Sequence, residues 1–111
     1  MTMDLLSRHC QPLGEDALPL EGEALDHYTE AIPDRWKVVD GHHLEGTFEF
    51  ENFVEALEFT NAAGEVAEEE NHHPEITVTW GRATVRIWTH DIDGLSENDF
   101  ILAARIDARA R

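Results

Sequence analysis

The sequence predicts an α+β fold, a four-stranded antiparallel sheet with helices packed on one face, in the chain order helix, hairpin, helix, hairpin, helix. Two observations carry that expectation. Two pairs of short segments alternate apolar and polar residues on either side of a turn, the period-2 signature of hairpins. Three other stretches repeat their apolar residues at helical spacing and lie before, between and after those pairs. Helices that alternate with antiparallel hairpins cover one face of the sheet and leave the other to water or a partner.

The first helix is expected from about Glu21 to Ala31, with Ala24, Leu25, Tyr28 and Ile32 at helical spacing and Pro33 and Asp34 as the stop. Trp36, Val38 and Val39 read as a strand, Gly41 with His42 and His43 as a turn, and Leu44 to Phe50 as the returning strand. Leu44, Gly46, Phe48 and Phe50 share one side of that strand, and Glu45, Thr47 and Glu49 the other, so one face is buried.

Asn52 followed by Glu55 is spaced as a capping box and opens the main helix, about residues 52 to 70. Its apolar side carries Phe53, Ala56, Leu57, Phe59, Thr60, Ala63, Val66 and Ala67. At about 100° per residue, Glu55, Glu58, Glu65 and Glu69 face solvent, whereas Glu68 falls close to the apolar border beside Leu57. Pro74 ends the helix at or before His73, because the residue before proline is pushed out of the α region.

Ile76, Val78 and Trp80 then alternate with Thr77 and Thr79, Gly81 and Arg82 form a tight turn, and a last strand runs from Ala83 to Thr89. Ala83, Val85 and Ile87 share its inner face; Thr84, Arg86, Trp88 and His90 share the other, which turns His90 from the core. After the polar loop Asp91 to Leu95, Ser96 can cap a final helix bearing Phe100, Ile101, Ala104 and Ile106. Arg105, Arg109 and Arg111 suit its C-terminal end. The whole chain, 1–111, reads as one domain, with residues 1–19 as a looser N-terminal arm.

Composition narrows the function. With 24 Asp and Glu against 8 Lys and Arg, the net charge is −16, which argues against nucleic acid and anionic lipid as partners. The acidity is open between adaptation to a saline cell interior and ordinary drift in surface composition. No run of about 18 apolar residues exists to span a membrane, and Met1 to Gln11 lacks the pattern of a secretion signal. The single cysteine, Cys10, leaves no internal disulfide and points to a reducing compartment, the cytoplasm.

Of the seven histidines, His9, His27, His42 and His43 occupy arm, helix-surface or turn contexts and read as exposed residues without a role. His72, His73 and His90 differ, because a helix end and a strand end bring them toward one place. If the helix continues to His72, Glu68 lies four residues away on the same face and can fix the tautomer of its ring for proton transfer. The alternative is histidine stabilising a helix C-terminus. Asp99 is similarly open between capping the last helix, which its spacing from Ser96 favours, and a part in the chemistry. Trp80 and Trp88 could stack on a planar ligand or simply pack. A metal shell fits the spacing poorly, since adjacent His72 and His73 project differently and no second histidine stands at i+4.

Glu68, three residues, His72, His73, Pro74, then Trp80, His90 and Asp99 together resemble the signature of the pterin-4a-carbinolamine dehydratases. The stretch THDIDGLSENDFILAARID, residues 89 to 107, is similar to that family's closing segment, and LLSRHCQPL, residues 5 to 13, to the arm of bacterial members. The resemblance implies a dehydratase that turns 4a-hydroxytetrahydropterin into quinonoid dihydropterin and water, without metal or organic cofactor. It implies acid and base roles for His72 and His90, pterin orientation by His73, supporting hydrogen bonds from Glu68 and Asp99, Pro74 as the helix stop, and Trp80 in the wall. It further implies a homodimer or homotetramer and a functional link to an aromatic amino acid hydroxylase. Departures are Asn71, where an acid is common, and Trp80, where tyrosine is frequent. The reading from a different class is a non-catalytic dimerising module that binds through the open sheet face.

Overall fold

The computed structural model describes residues 3–110. Three α-helices and a four-stranded antiparallel sheet follow in the expected order: α1 Gly22–Glu30, β1 Trp36–Val39, β2 His43–Glu49, α2 Phe53–Glu70, β3 Glu75–Thr79, β4 Arg82–Ile87 and α3 Glu97–Arg109. Short 3-10 turns add Leu5–Ser7 and His90–Ile92. The strand order is β1-β2-β4-β3, so the two hairpins join through β2 and β4, with Leu44 opposite Ile87 and Phe48 opposite Ala83.

Strand alternation decides the faces. Leu44, Phe48, Ala83, Val85 and Ile87 are buried against Phe59, Ala63 and Val66 of α2 and Phe100, Ile101 and Ile106 of α3. The opposite face is polar, and there the Arg86 Nε–H donates to Glu45 at 2.9 Å. Gly46 stands opposite Trp36, whose indole covers it so closely that a Cβ at Gly46 would lie 2.6 Å from the ring. The indole Nε1–H in turn donates to Asp107 of α3 at 3.2 Å, which ties the sheet edge to the helical layer.

Both hairpin turns sit slightly away from their expected places. Asp40 and Gly41 take positive φ (54° and 64°), the pairing that suits a tight reversal, so His43 already belongs to β2. In the second hairpin the turn is Trp80 and Gly81, and Arg82 opens β4. His90 has left the strand and begins a 3-10 turn.

α2 ends at Glu70, as expected and inside the limit that Pro74 sets. Asn71 adopts the left-handed conformation (φ 52°, ψ 43°), and the backbone N–H of His72 donates to the Ala67 carbonyl while that of Asn71 caps the same turn. Asparagine tolerates this geometry better than most residues, so the helix closes three positions before the proline.

Within the N-terminal arm, residues 3–11 touch the rest of the domain. Leu5 is buried in the core, Arg105 donates to the carbonyls of Leu6 and Arg8, and Asn98 bonds the Gln11 backbone in both directions, at 3.0 and 2.8 Å. Met1, Thr2 and Arg111 lie outside the described residues. No helix among the described residues is long and apolar enough to cross a membrane.

Candidate active site

The end of α2, the segment after β4 and the start of α3 converge on His72. Its Nε2 lies 2.5 Å from Asp99 Oδ1. Asp99 is fully buried, and its other oxygen accepts from the Thr89 hydroxyl and from the Ser96 backbone N–H, each at 2.8 Å. A carboxylate engaged by donors on one oxygen acts as the acceptor on the other, so His72 carries its proton on Nε2. The Nδ1 of His72 has no hydrogen-bond partner among the described residues. Asp99 caps α3, as its spacing from Ser96 favoured, and the same carboxylate contacts His72.

Glu68 does not reach His72. Because α2 has ended by then, the i+4 relation is lost, and Glu68 Oε2 lies instead 2.5 Å from His73 Nε2. Both are largely exposed, Glu68 at 78% of its side chain, rather than at an apolar border. Ion pairs this open add little stability; the contact's consequence is the orientation of the His73 ring.

His90 is exposed and its ring lies against Trp88, with centroids 4.5 Å apart and planes at 31°. His42 and His43, read as residues without a role, also gather on that indole at 5.4 and 5.9 Å. The register that pairs Leu44 with Ile87 puts His43 opposite Trp88, and His42 is fixed by Asp93 at 2.7 Å. Cross-strand pairing was the signal that could have found them.

A cleft of about 250 Å³ is lined by Asn71, His72, His73, Trp88, Thr89, His90 and Asp91. A second cleft of about 240 Å³ continues past His72, between the arm residues 10–13 and Glu70 and Asn98. Trp80 stands in neither: it occupies the β3–β4 turn, 71% exposed, at the far end of the hairpin from His90. Trp88 is the indole that faces the cleft. A larger opening of about 370 Å³, between Leu6, Val66 and Arg109, contains no histidine.

Glu70 was missed as well. It continues the buried stripe of Ala63, Val66 and Ala67 at helical spacing, which should have marked it as a carboxylate inside the protein. Burial pushes its carboxyl up, but the Cys10 N–H at 2.7 Å, His9 at 2.8 Å and the Arg105 charge outweigh it and hold the group below the usual carboxylate range. Burial, with the Glu70 carboxylate beside it, pushes the Cys10 thiol up to about 12, which disfavours the thiolate. Among the described residues no group of three or more His, Cys, Asp or Glu side chains is disposed to hold a metal ion.

The cleft thus offers three imidazoles and one indole: His72 and His73 are held by carboxylates, and His90, packed on Trp88, has no polar partner among the described residues. The family model described as pterin 4 alpha carbinolamine dehydratase matches residues 18–109.

The chain belongs to that family.

A protein of Rubrobacter xylanophilus, provisionally named pterin-4-alpha-carbinolamine dehydratase, is 49% identical over 104 residues, covering 94% of this chain and 96% of its own. One of Alkaliphilus metalliredigens, with the same provisional name, is 42% identical and covers 94% of each chain. Among solved structures, a transcriptional coactivator/pterin dehydratase from Brucella melitensis superposes with a TM-score of 0.77 at 31% identity, over 84% of this chain and 99% of that one. A pterin dehydratase-like protein identified as a RuBisCO assembly factor in the alpha-carboxysome shares the fold alone, with a TM-score of 0.58 at 23% identity over 68% of this chain and 88% of that one. Glu68, His72, His73, His90 and Asp99 all fall within the matched stretch, whereas the docked arm precedes it.

Proposed function

We propose that this chain dehydrates 4a-hydroxytetrahydropterin to quinonoid dihydropterin by histidine general acid/base catalysis, without a metal or organic cofactor. The observation that carries this reading is the Asp99-held His72 beside His90 in one cleft of a member of this family. In the reaction the bond from C4a to the hydroxyl oxygen breaks, the oxygen leaves as water with a donated proton, and the neighbouring ring nitrogen loses a proton as its double bond to C4a forms. His72, with Nδ1 free and the charge on its ring stabilised by Asp99, takes the nitrogen proton. His90 supplies the proton to the departing hydroxyl, and His73, held by Glu68, orients the pterin. Pro74 keeps the segment carrying His72 and His73 extended into β3.

In this reading the substrate comes from an aromatic amino acid hydroxylase in the cytoplasm, the product re-enters the cofactor cycle, and the chain works as a homodimer or homotetramer. The test is an ultraviolet time course of enzymically generated 4a-carbinolamine with and without the protein. The wild type accelerates its loss, and His72→Ala and His90→Ala each reduce that acceleration by about 10²- to 10⁴-fold. Full activity in the double variant refutes the mechanism. No acceleration by the wild type favours the second reading, a dimerising module that binds through the polar sheet face, to which the coactivator description of the Brucella melitensis relative lends weight.

A further inference from the structure

The cleft beside His90 is small for a whole substrate. At about 250 Å³ it falls below the roughly 300–1,000 Å³ usual for small-molecule sites, as does its neighbour of about 240 Å³. The two share Asn71, His72, Thr89 and Asp91, so they form one continuous trough with His72 between its halves. From this geometry we propose that the arm-lined half is a specificity subsite that receives the neutral, hydroxylated C6 substituent of the pterin while the ring system occupies the histidine half. The inference rests on the dehydratase reading and adds the part of the substrate that the N-terminal arm selects.

The lining suits such a group. Gln11, Asn71 and Asp91 are exposed and their side chains have no hydrogen-bond partner among the described residues, so donors and acceptors stand free for hydroxyls. Pro12 and Leu13 supply an apolar wall for the carbon chain. Asp91, the Glu70 carboxylate and the net charge of −16 oppose an anionic substituent such as a phosphate ester.

The arm is held in place by bonds that do not involve those free groups. The Cys10 N–H donates to Glu70, and Asn98 brackets the Gln11 backbone. Arm residues 10–13 precede the stretch matched by the family model, which starts at residue 18. They nevertheless fall within the alignment with the Rubrobacter xylanophilus relative, which covers 94% of this chain.

Two carbinolamines distinguish the outcomes, one with a 6-methyl group and one with a 6-dihydroxypropyl chain. In the wild type kcat/KM favours the longer substituent. Leu13→Trp and Gln11→Trp fill the subsite from exposed positions, and each lowers the ratio of kcat/KM for the long over the short substrate by roughly tenfold, mainly through KM. A ratio within about twofold of the wild type in both variants, with unchanged thermal stability, overturns the subsite while leaving the dehydratase reading intact. A wild type that accelerates neither substrate overturns the dehydratase reading itself, and the subsite with it.

Discussion

Asp99 joins the imidazole of His72 to the first turn of α3: one carboxylate oxygen meets His72 Nε2 at 2.5 Å and the other accepts the Ser96 N–H at 2.8 Å. A capping acid and an orienting acid are thus the same residue. Replacing it with asparagine separates the two duties. The amide oxygen must face the Ser96 N–H and the Thr89 hydroxyl, which presents the NH₂ to His72 Nε2 and forces the ring proton onto Nδ1. Asp99→Asn is therefore expected to keep the fold, lower stability by about 1–3 kcal/mol, and cut kcat by one to two orders of magnitude, since proton transfer is worth about 10²–10⁴. Steady-state kinetics beside a urea titration checks both; an unchanged kcat would remove His72 from the chemistry.

Much of this was legible in the sequence, and what was not has identifiable causes. Alternation in residues 44–50 and 83–87 fixed which sheet face is buried, because side-chain parity in a strand is local. The end of α2 at Glu70 was legible too, but the left-handed Asn71 that closes it shows only in φ and ψ. With the chain turning there, the condition for a Glu68–His72 pair is not met: Glu68 meets His73, and His72 meets Asp99. The pairing of His72 with Asp99, 27 residues apart, depends on tertiary closure. Glu70, by contrast, could have been found from helical phase alone.

The two indoles should separate cleanly. Trp88 lines the cleft and packs on His90, whereas Trp80 sits at the remote turn. Trp88→Ala is expected to raise KM and lower kcat together, by about fivefold or more in kcat/KM, because stacking on a planar ring is worth about 1–3 kcal/mol. Trp88→Phe should recover most of the loss. Trp80→Ala should stay within about twofold of the wild type, and a loss at Trp80 as large as that at Trp88 would place the pterin elsewhere or bring a second subunit's turn into the site.

Glu70 gives the arm a pH dependence. A carboxyl held below its ordinary value in the folded state contributes stability that is present above its unfolded pKa and lost as pH falls through the folded value. The unfolded value is about 4.3, so the contribution is complete at neutral pH and fades below about pH 4. Glu70→Gln should unfold at lower urea than the wild type at pH 7, and the gap should narrow as the pH is lowered to about 3. A gap of constant size would show that Glu70 acts through packing and not through its charge.

Gly46 is required by space, since its φ is not in the left-handed region. An alanine there would normally be the better strand residue, because glycine in a strand interior is unfavourable by roughly 0.5–1 kcal/mol. Against that, the new Cβ would lie 2.6 Å from the Trp36 ring. The ring has little freedom to move, being bonded to Asp107 and packed edge-on against Phe48 at 5.7 Å. Overpacking of a fixed core group is unfavourable by about 1–3 kcal/mol, so the clash wins. Gly46→Ala is expected to lower Tm by about 4–8 °C per kcal/mol of net loss and to alter tryptophan fluorescence. Trp36→Leu leaves room for the methyl group, so adding Gly46→Ala to it should have less effect than in the wild type. Equal effects in the two backgrounds would mean that the indole is not what excludes a side chain at position 46.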